Sequence, residues 1–291
     1  MGSISRLAWV TALWCVAVPL ASAQVTYPPI DVPGAVVTSV EGINVAGDLV
    51  GYYADSNPGT THGFLFRNGT FTFIDYPGAD STIAFGINDS GLIVGRAVKG
   101  TGEVGFTYDG TKFTAIRVRG QAATTAWGID SAGDIVGAAG TLDSTRGFEL
   151  RGHRFSLIYP PGRFGVVYAT GINNFGEVVG FTSDGGDAKG FLYKHGQYKA
   201  VTFPGAMQTE TLGINDSGMI SGYYIAASGF FGFVLENGNF TSLSVPSASE
   251  TIVVGINAIG QVVGAYTDSN NICHGFVTSS VTSFLLKRAG R

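Results

Sequence analysis

The chain has 291 residues, of which 44 are glycine and only 13% are charged, and its formal net charge is −4. A mildly acidic chain without basic blocks argues against nucleic acid as a partner, because phosphate binding needs clustered lysine and arginine. Abundant glycine with sparse charge suits short strands joined by tight turns.

In chain order, the first element is a targeting segment. Arg6 gives the start a positive charge, Leu7 to Leu20 is apolar apart from Thr11, and Ala21-Ser22-Ala23 supplies the small-x-small pattern of a signal-peptidase site. Residues 1–23 are therefore expected to be a cleavable signal peptide, and 24–291 a single exported domain, secreted or periplasmic. The apolar run is short for a membrane span, and no later stretch approaches spanning length. Trp14 before Cys15 argues against lipidation, and Cys273 alone would remain after cleavage, so no intramolecular disulfide is expected.

From there the sequence repeats. A Gly-Ile-Asn or Gly-Ile-Asp triplet begins at Gly42, Gly86, Gly128, Gly171, Gly213 and Gly255, at spacings of 44, 42, 43, 42 and 42 residues. A second glycine follows five residues later (Gly47, Gly91, Gly133, Gly176, Gly218, Gly260), and a third four beyond that (Gly51, Gly95, Gly137, Gly180, Gly222, Gly264). A Gly-Phe pair completes each copy, at Gly63, Gly105, Gly147, Gly190, Gly232 and Gly275. The repeats begin near residues 36, 80, 122, 165, 207 and 249.

The second copy shows what one repeat builds. Thr82 to Ile87 is a β-prone run, Asn88-Asp89-Ser90-Gly91 a turn, and Leu92 to Ala97 a second strand. Gly105 to Tyr108 is a third, Asp109-Gly110 a hairpin signal, and Phe113 to Val118 alternates like a half-buried fourth. Four antiparallel strands in about 42 residues match a propeller blade. The expected fold is all-β: a six-bladed β-propeller of four-stranded antiparallel blades. The triplet glycine lies inside a strand, where it marks a bulge or close backbone approach; strands crowding around a central axis would require it.

The chain ends bear on closure. Fourth strands of copies one, four and five end in Tyr76-Pro77-Gly78, Phe203-Pro204-Gly205 and Val245-Pro246, a signature the sixth copy lacks and the N-terminal segment Tyr27 to Ala35 supplies. The last blade is thus expected to be completed by the N-terminal strand, with Val281 to Leu286 as the competing fourth strand.

With a Gly-Ile-Asn strand, a Gly-x-Val-Val-Gly strand and a His-small-Phe strand (His62-Gly63-Phe64, His274-Gly275-Phe276), the copies from Gly42 to Phe276 resemble the HAF-type repeats of bacterial extracellular repeat proteins. Val104, Arg146, Lys189 and Phe231 replace the histidine elsewhere. The resemblance implies an exported repeat protein and brings no activity or site residues with it.

Chemistry-bearing motifs are sparse. There is no Gly-x-Ser-x-Gly elbow, His-Glu-x-x-His, Cys-x-x-Cys or Walker loop. Gly100 to Gly105 matches Gly-x-Gly-x-x-Gly, but a strand follows it where a dinucleotide site needs a helix. His62 and His274 could approach in a closed ring, and Asp184 to Asp187 could wrap a cation, yet hydrogen bonding and a plain turn explain both; no metal or cofactor is expected.

The second-to-third and fourth-to-first loops vary from copy to copy and share one face, where a rigid repeat scaffold presents a site. Binding candidates on that face are Tyr52, Tyr53, Arg96, Trp127, Arg146, Tyr168, Phe181, Tyr223, Tyr224 and Tyr266. Aromatics with few charges suit carbohydrate stacking or protein contact. The expected function is a monomeric binding platform for a protein or surface glycan, without enzymatic activity. Alternatives are a polysaccharide-acting enzyme with its site on the variable loop face, and an extracellular scaffold component.

Overall fold

The computed structural model describes residues 25–56, 59–141, 144–162 and 165–281. The expected signal peptide, and the competing strand beyond Val281, lie outside the described residues.

Repeats two to five each form a separate four-stranded antiparallel sheet. Repeat three, for example, runs through Ala123–Ile129, Ile135–Gly140, Arg146–Arg151 and Arg154–Ile158. Repeats one and six do not separate in this way. Val37 pairs in parallel with Cys273, which joins the three strands of repeat six, the four of repeat one and the N-terminal strand Pro29–Ile30 into one eight-stranded sheet. The expectation of six separate blades is corrected accordingly: the fold is an all-β propeller with four separate blades, and a continuous sheet occupies the rest of the ring. The physical reason is the bridge where the two chain ends meet, which the separate sheets lack. No helix occurs among the described residues.

The N-terminal strand lies antiparallel to Cys273–Val277, with Pro29 opposite Phe276 and Ile30 opposite Gly275. It stands where the fourth strand stands in repeat one. His274 Nδ1 meets Asp31 Oδ2 at 2.9 Å as His62 Nδ1 meets Asp75 Oδ1 at 2.9 Å. Val32 N donates to Thr38 Oγ1 (3.1 Å) just as Tyr76 N donates to Thr82 Oγ1 (2.9 Å). The two histidines are therefore each engaged by an aspartate.

Three recurrent contacts explain the repeat's fixed residues. A Cβ on the triplet glycine would lie 2.8 Å from Phe85 O at Gly42, 2.9 Å from Thr170 O at Gly128 and 2.8 Å from Leu212 O at Gly171, so neighbouring first strands meet backbone to backbone. The Phe of each Gly-Phe pair is buried: Phe148 lies over Gly137 of its own repeat and packs with Val94 and Ile116 of the preceding one. The triplet asparagine reads the neighbouring repeat. Asn44 Nδ2 donates to Asn88 O (3.4 Å), Asn88 to Asp130 O (3.0 Å), Asn173 to Asn215 O (3.1 Å), Asn215 to Asn257 O (3.0 Å) and Asn257 back to Asn44 O (3.1 Å). This ring of side-chain amides around the axis has one gap, at Asp130, whose carboxylate cannot donate to Asn173 O.

Every first strand also carries a bulge immediately before its glycine, as the register shift between Ala126 and Gly128 shows in repeat three. The bulged residues are Glu41, Phe85, Trp127, Thr170, Leu212 and Val254, and together they line the axial opening. A bulge re-aims a side chain out of the ladder, and here it turns one residue of each repeat toward that opening.

Candidate functional site

A cleft of about 840 Å³ spans repeats two, three and four. Its lining includes Arg96, the turn at Gly100 and Thr101, Glu103 at the start of the next strand, Thr125, Trp127, Ala138, Ala139, Gly140, Tyr168 and Phe181. It therefore lies on the variable face, at second-to-third loops and the adjoining strand ends.

The local sequence explains why the cleft opens here. The residue after the third glycine is Tyr52, Arg96, Phe181 and Tyr223 in repeats one, two, four and five, and Ala265, followed by Tyr266, in repeat six. In repeat three it is Ala138, followed by Ala139 and Gly140. Ala138 pairs with Thr125 as Phe181 pairs with Tyr168, so the positions are equivalent in register. Repeat three is thus the copy with no large side chain over these three positions, and it lies between Arg96 of repeat two and Phe181 of repeat four.

The walls differ in character. Tyr168 and Phe181 stack on one side, ring centroids 4.8 Å apart. The bulge in repeat three puts Trp127 between the cleft and the axial opening, where it stacks on Phe85 at 4.2 Å. On the other side is a polar cluster: Arg96 Nη1 bonds Glu103 Oε2 at 3.1 Å, and Thr125 Oγ1 donates to the other oxygen of Glu103. Arg96 Nε and Trp127 Nε1 are buried donors with no hydrogen-bond partner. Arg96 and Glu103 are the charged residues of the lining among the described residues.

Four of the ten residues singled out from sequence thus share one cleft: Arg96, Trp127, Tyr168 and Phe181. Tyr52 and Tyr223 occupy the matching position in repeats one and five, outside this lining. Both phenols are pushed up by burial and by carboxylates, Glu41 beside Tyr52 and Glu210 beside Tyr223. Tyr53, Tyr224 and Tyr266 do not join the cleft. Successive strand side chains point to opposite faces, and these three stack on His62 (5.1 Å), Phe203 (3.7 Å) and His274 (5.1 Å). Arg146 is spent on backbone, donating to Thr145 O and Gly165 O at 3.0 Å each. Glu103, Thr125 and Ala138 were missed. The small residues at Ala138–Gly140, set against the bulky ones of other copies, are the signal that would have found the cleft.

Two further groups bear on chemistry. Burial pushes the Glu41 carboxyl up, while the Ser39 hydroxyl, 2.6 Å away, and the Arg96 charge oppose this. Burial also pushes the Cys273 thiol up to about 11, so it is protonated and unreactive at neutral pH.

No family model matches the chain, and no curated protein matches it. Solved structures do. A Trypanosoma rangeli sialidase aligns with TM-score 0.54 at 8% identity over 91% of this chain and 60% of its own. A nidogen/laminin complex aligns at 0.52 and 12% identity over 78% and 86%. A Xanthomonas campestris gluconolactonase aligns at 0.50 and 10% identity over 87% and 94%. At such identities the likeness is one of fold, and it supports the propeller. It also corrects the expectation of a chain without enzymatic activity, since the structures sharing this fold include a sialidase and a gluconolactonase; neither reaction transfers by fold.

Proposed function

We propose that this chain is exported and binds a carbohydrate chain in the cleft between repeats two, three and four. The observation that carries the reading is the run Ala138-Ala139-Gly140, which opens a cavity between an aromatic wall and a polar cluster. The volume lies within the ~300–1,000 Å³ of small-molecule sites. Aromatic rings offer flat apolar surface to the C–H faces of a sugar, and Arg96, Glu103 and Thr125 offer donors and acceptors to its hydroxyls.

A glycan array probed with wild-type protein and with Ala138→Tyr tests this. Tyrosine is accommodated at the matching positions of repeats one and five, so the variant should fold and lose binding. Equal binding by the two proteins, or binding to no glycan, refutes the assignment.

A second reading is that the bound chain is also cleaved. Glu41 favours it: a carboxyl pushed up by burial, at the axial opening beside Arg96, is placed as a proton donor. Release of reducing ends that Glu41→Gln abolishes would support cleavage; binding without release would leave the cleft a binding site alone.

A further inference from the structure

We infer that Arg96 and Glu103 together read two neighbouring hydroxyls on an uncharged sugar, so that the cleft selects neutral over acidic glycans. The inference rests on the carbohydrate reading of the cleft and adds the class of sugar to it.

The argument begins with charge. Arg96 and Glu103 are of opposite sign and bonded to each other at 3.1 Å, so the described lining has no net charge. An acidic sugar placed against Arg96 would also face Glu103, and like charges brought together in a partly desolvated site repel. A cationic ligand meets the converse problem.

Unused bonding capacity comes next. A guanidinium has five N–H donors and a carboxylate about four acceptor sites. Arg96 uses Nη1 on Glu103, while its Nε is buried without a partner. Glu103 accepts from Arg96 on one oxygen and from Thr125 Oγ1 on the other, which leaves acceptor sites open. An adjacent donor and acceptor fixed in this way fit a vicinal diol, in which one oxygen accepts from the guanidinium and one O–H donates to the carboxylate. The Thr125 and Arg96 bonds hold Glu103 in place before any ligand arrives, which lowers the ordering cost of recognition. Trp127, with its own unpartnered Nε1, faces the same cleft and lines the axial opening, so a ring held by the Arg96–Glu103 pair lies against an aromatic surface.

The test is titration calorimetry of the wild-type chain with gluco-, manno- and galacto-oligosaccharides, and with oligogalacturonate as the acidic probe. Binding is expected among the neutral sugars, with a preference over oligogalacturonate. Glu103→Gln keeps the shape but loses the charged acceptor, and should weaken neutral binding by about tenfold or more. A deoxy derivative lacking one hydroxyl of the pair should weaken binding comparably, and it tests the contact without altering the protein. Tighter binding of oligogalacturonate, or unchanged affinity in both Glu103→Gln and the deoxy sugar, overturns the vicinal-hydroxyl reading and leaves the cleft standing as a glycan site. Heat from no sugar of either class overturns both readings.

Discussion

Asp130→Asn should stabilise this protein, by an amount the asparagine ring sets. Five of six triplets donate a side-chain amide to the next repeat's backbone, at 3.0–3.4 Å. Asp130 is buried and its carboxylate cannot supply the sixth bond. The expected gain is that of one hydrogen bond, about 0.5–1.5 kcal/mol. For a chain of this size that is a rise in Tm of about 1–6 °C. Burial raises the Asp130 pKa, and the nearby Asp134 adds to it, against the hydrogen bonds it accepts from the backbone of Asp134, Ala132 and Gly133. Folded Asp130 thus keeps its proton at pH values where the unfolded chain has lost it. Wild-type stability from this group is full below the ordinary carboxylate range and is lost as pH rises through the raised value. Asparagine does not titrate, so the advantage of the variant should be greatest at pH 7 and shrink toward pH 4. There a protonated Asp130 can itself donate to Asn173 O. Thermal and urea unfolding of both proteins at the two pH values measures this. A variant no more stable than wild type at pH 7, or an advantage independent of pH, would refute the reasoning.

Other expectations follow from the same contacts. Phe148→Ala empties a fully buried site between repeats two and three and should cost about 3–5 kcal/mol in urea unfolding. Gly171→Ala sets a Cβ 2.8 Å from Leu212 O and 3.0 Å from Val179 Cγ2, and should cost about 1–3 kcal/mol, whereas Gly186→Ala, with nothing within 4 Å, should be close to neutral in the same assay. Desolvation lowers the His274 pKa, but Asp31 and Asp268 outweigh it and the net shift is upward. The hold on the N-terminal strand is therefore full below the ordinary histidine range and fades as pH rises through the raised value. The protection of the Ile30 and Asp31 amides against hydrogen exchange, taken relative to the intrinsic rate at each pH, should fall between pH 6 and pH 8.5, and His274→Ala should remove that fall. Deleting residues 25–33 should unfold or aggregate the protein, as circular dichroism and light scattering would report.

Much of the fold was legible because each fixed residue of the repeat meets a backbone constraint. The triplet glycine is required by a carbonyl of the neighbouring strand. The Asn-x-x-Gly turns need positive φ at residues such as Gly91 (85°). The Pro-Gly signature before repeat one announced a strand displaced to the N-terminus. The joining of repeats one and six was not legible, because one bridge between Val37 and Cys273 decides it, and no side-chain pattern encodes a single backbone contact. The site was half legible. Aromatic and charged residues stood out by type, and strand alternation then divided Tyr52 from Tyr53 and Tyr223 from Tyr224. What opens the cleft is an absence of bulk over the whole run Ala138–Gly140, visible only when the copies are compared position by position.

The central claim is that the cleft beside Trp127 is where ligand binds. Trp127 is the sole tryptophan after residue 24, since the other two are Trp9 and Trp14. Its fluorescence in the chain from Gln24 onward therefore reports on this cleft and on the axial opening it borders. The account predicts a saturable change in Trp127 emission on titration with a bound oligosaccharide, abolished by Ala138→Tyr. A glycan that binds by calorimetry yet leaves Trp127 emission unchanged would contradict it.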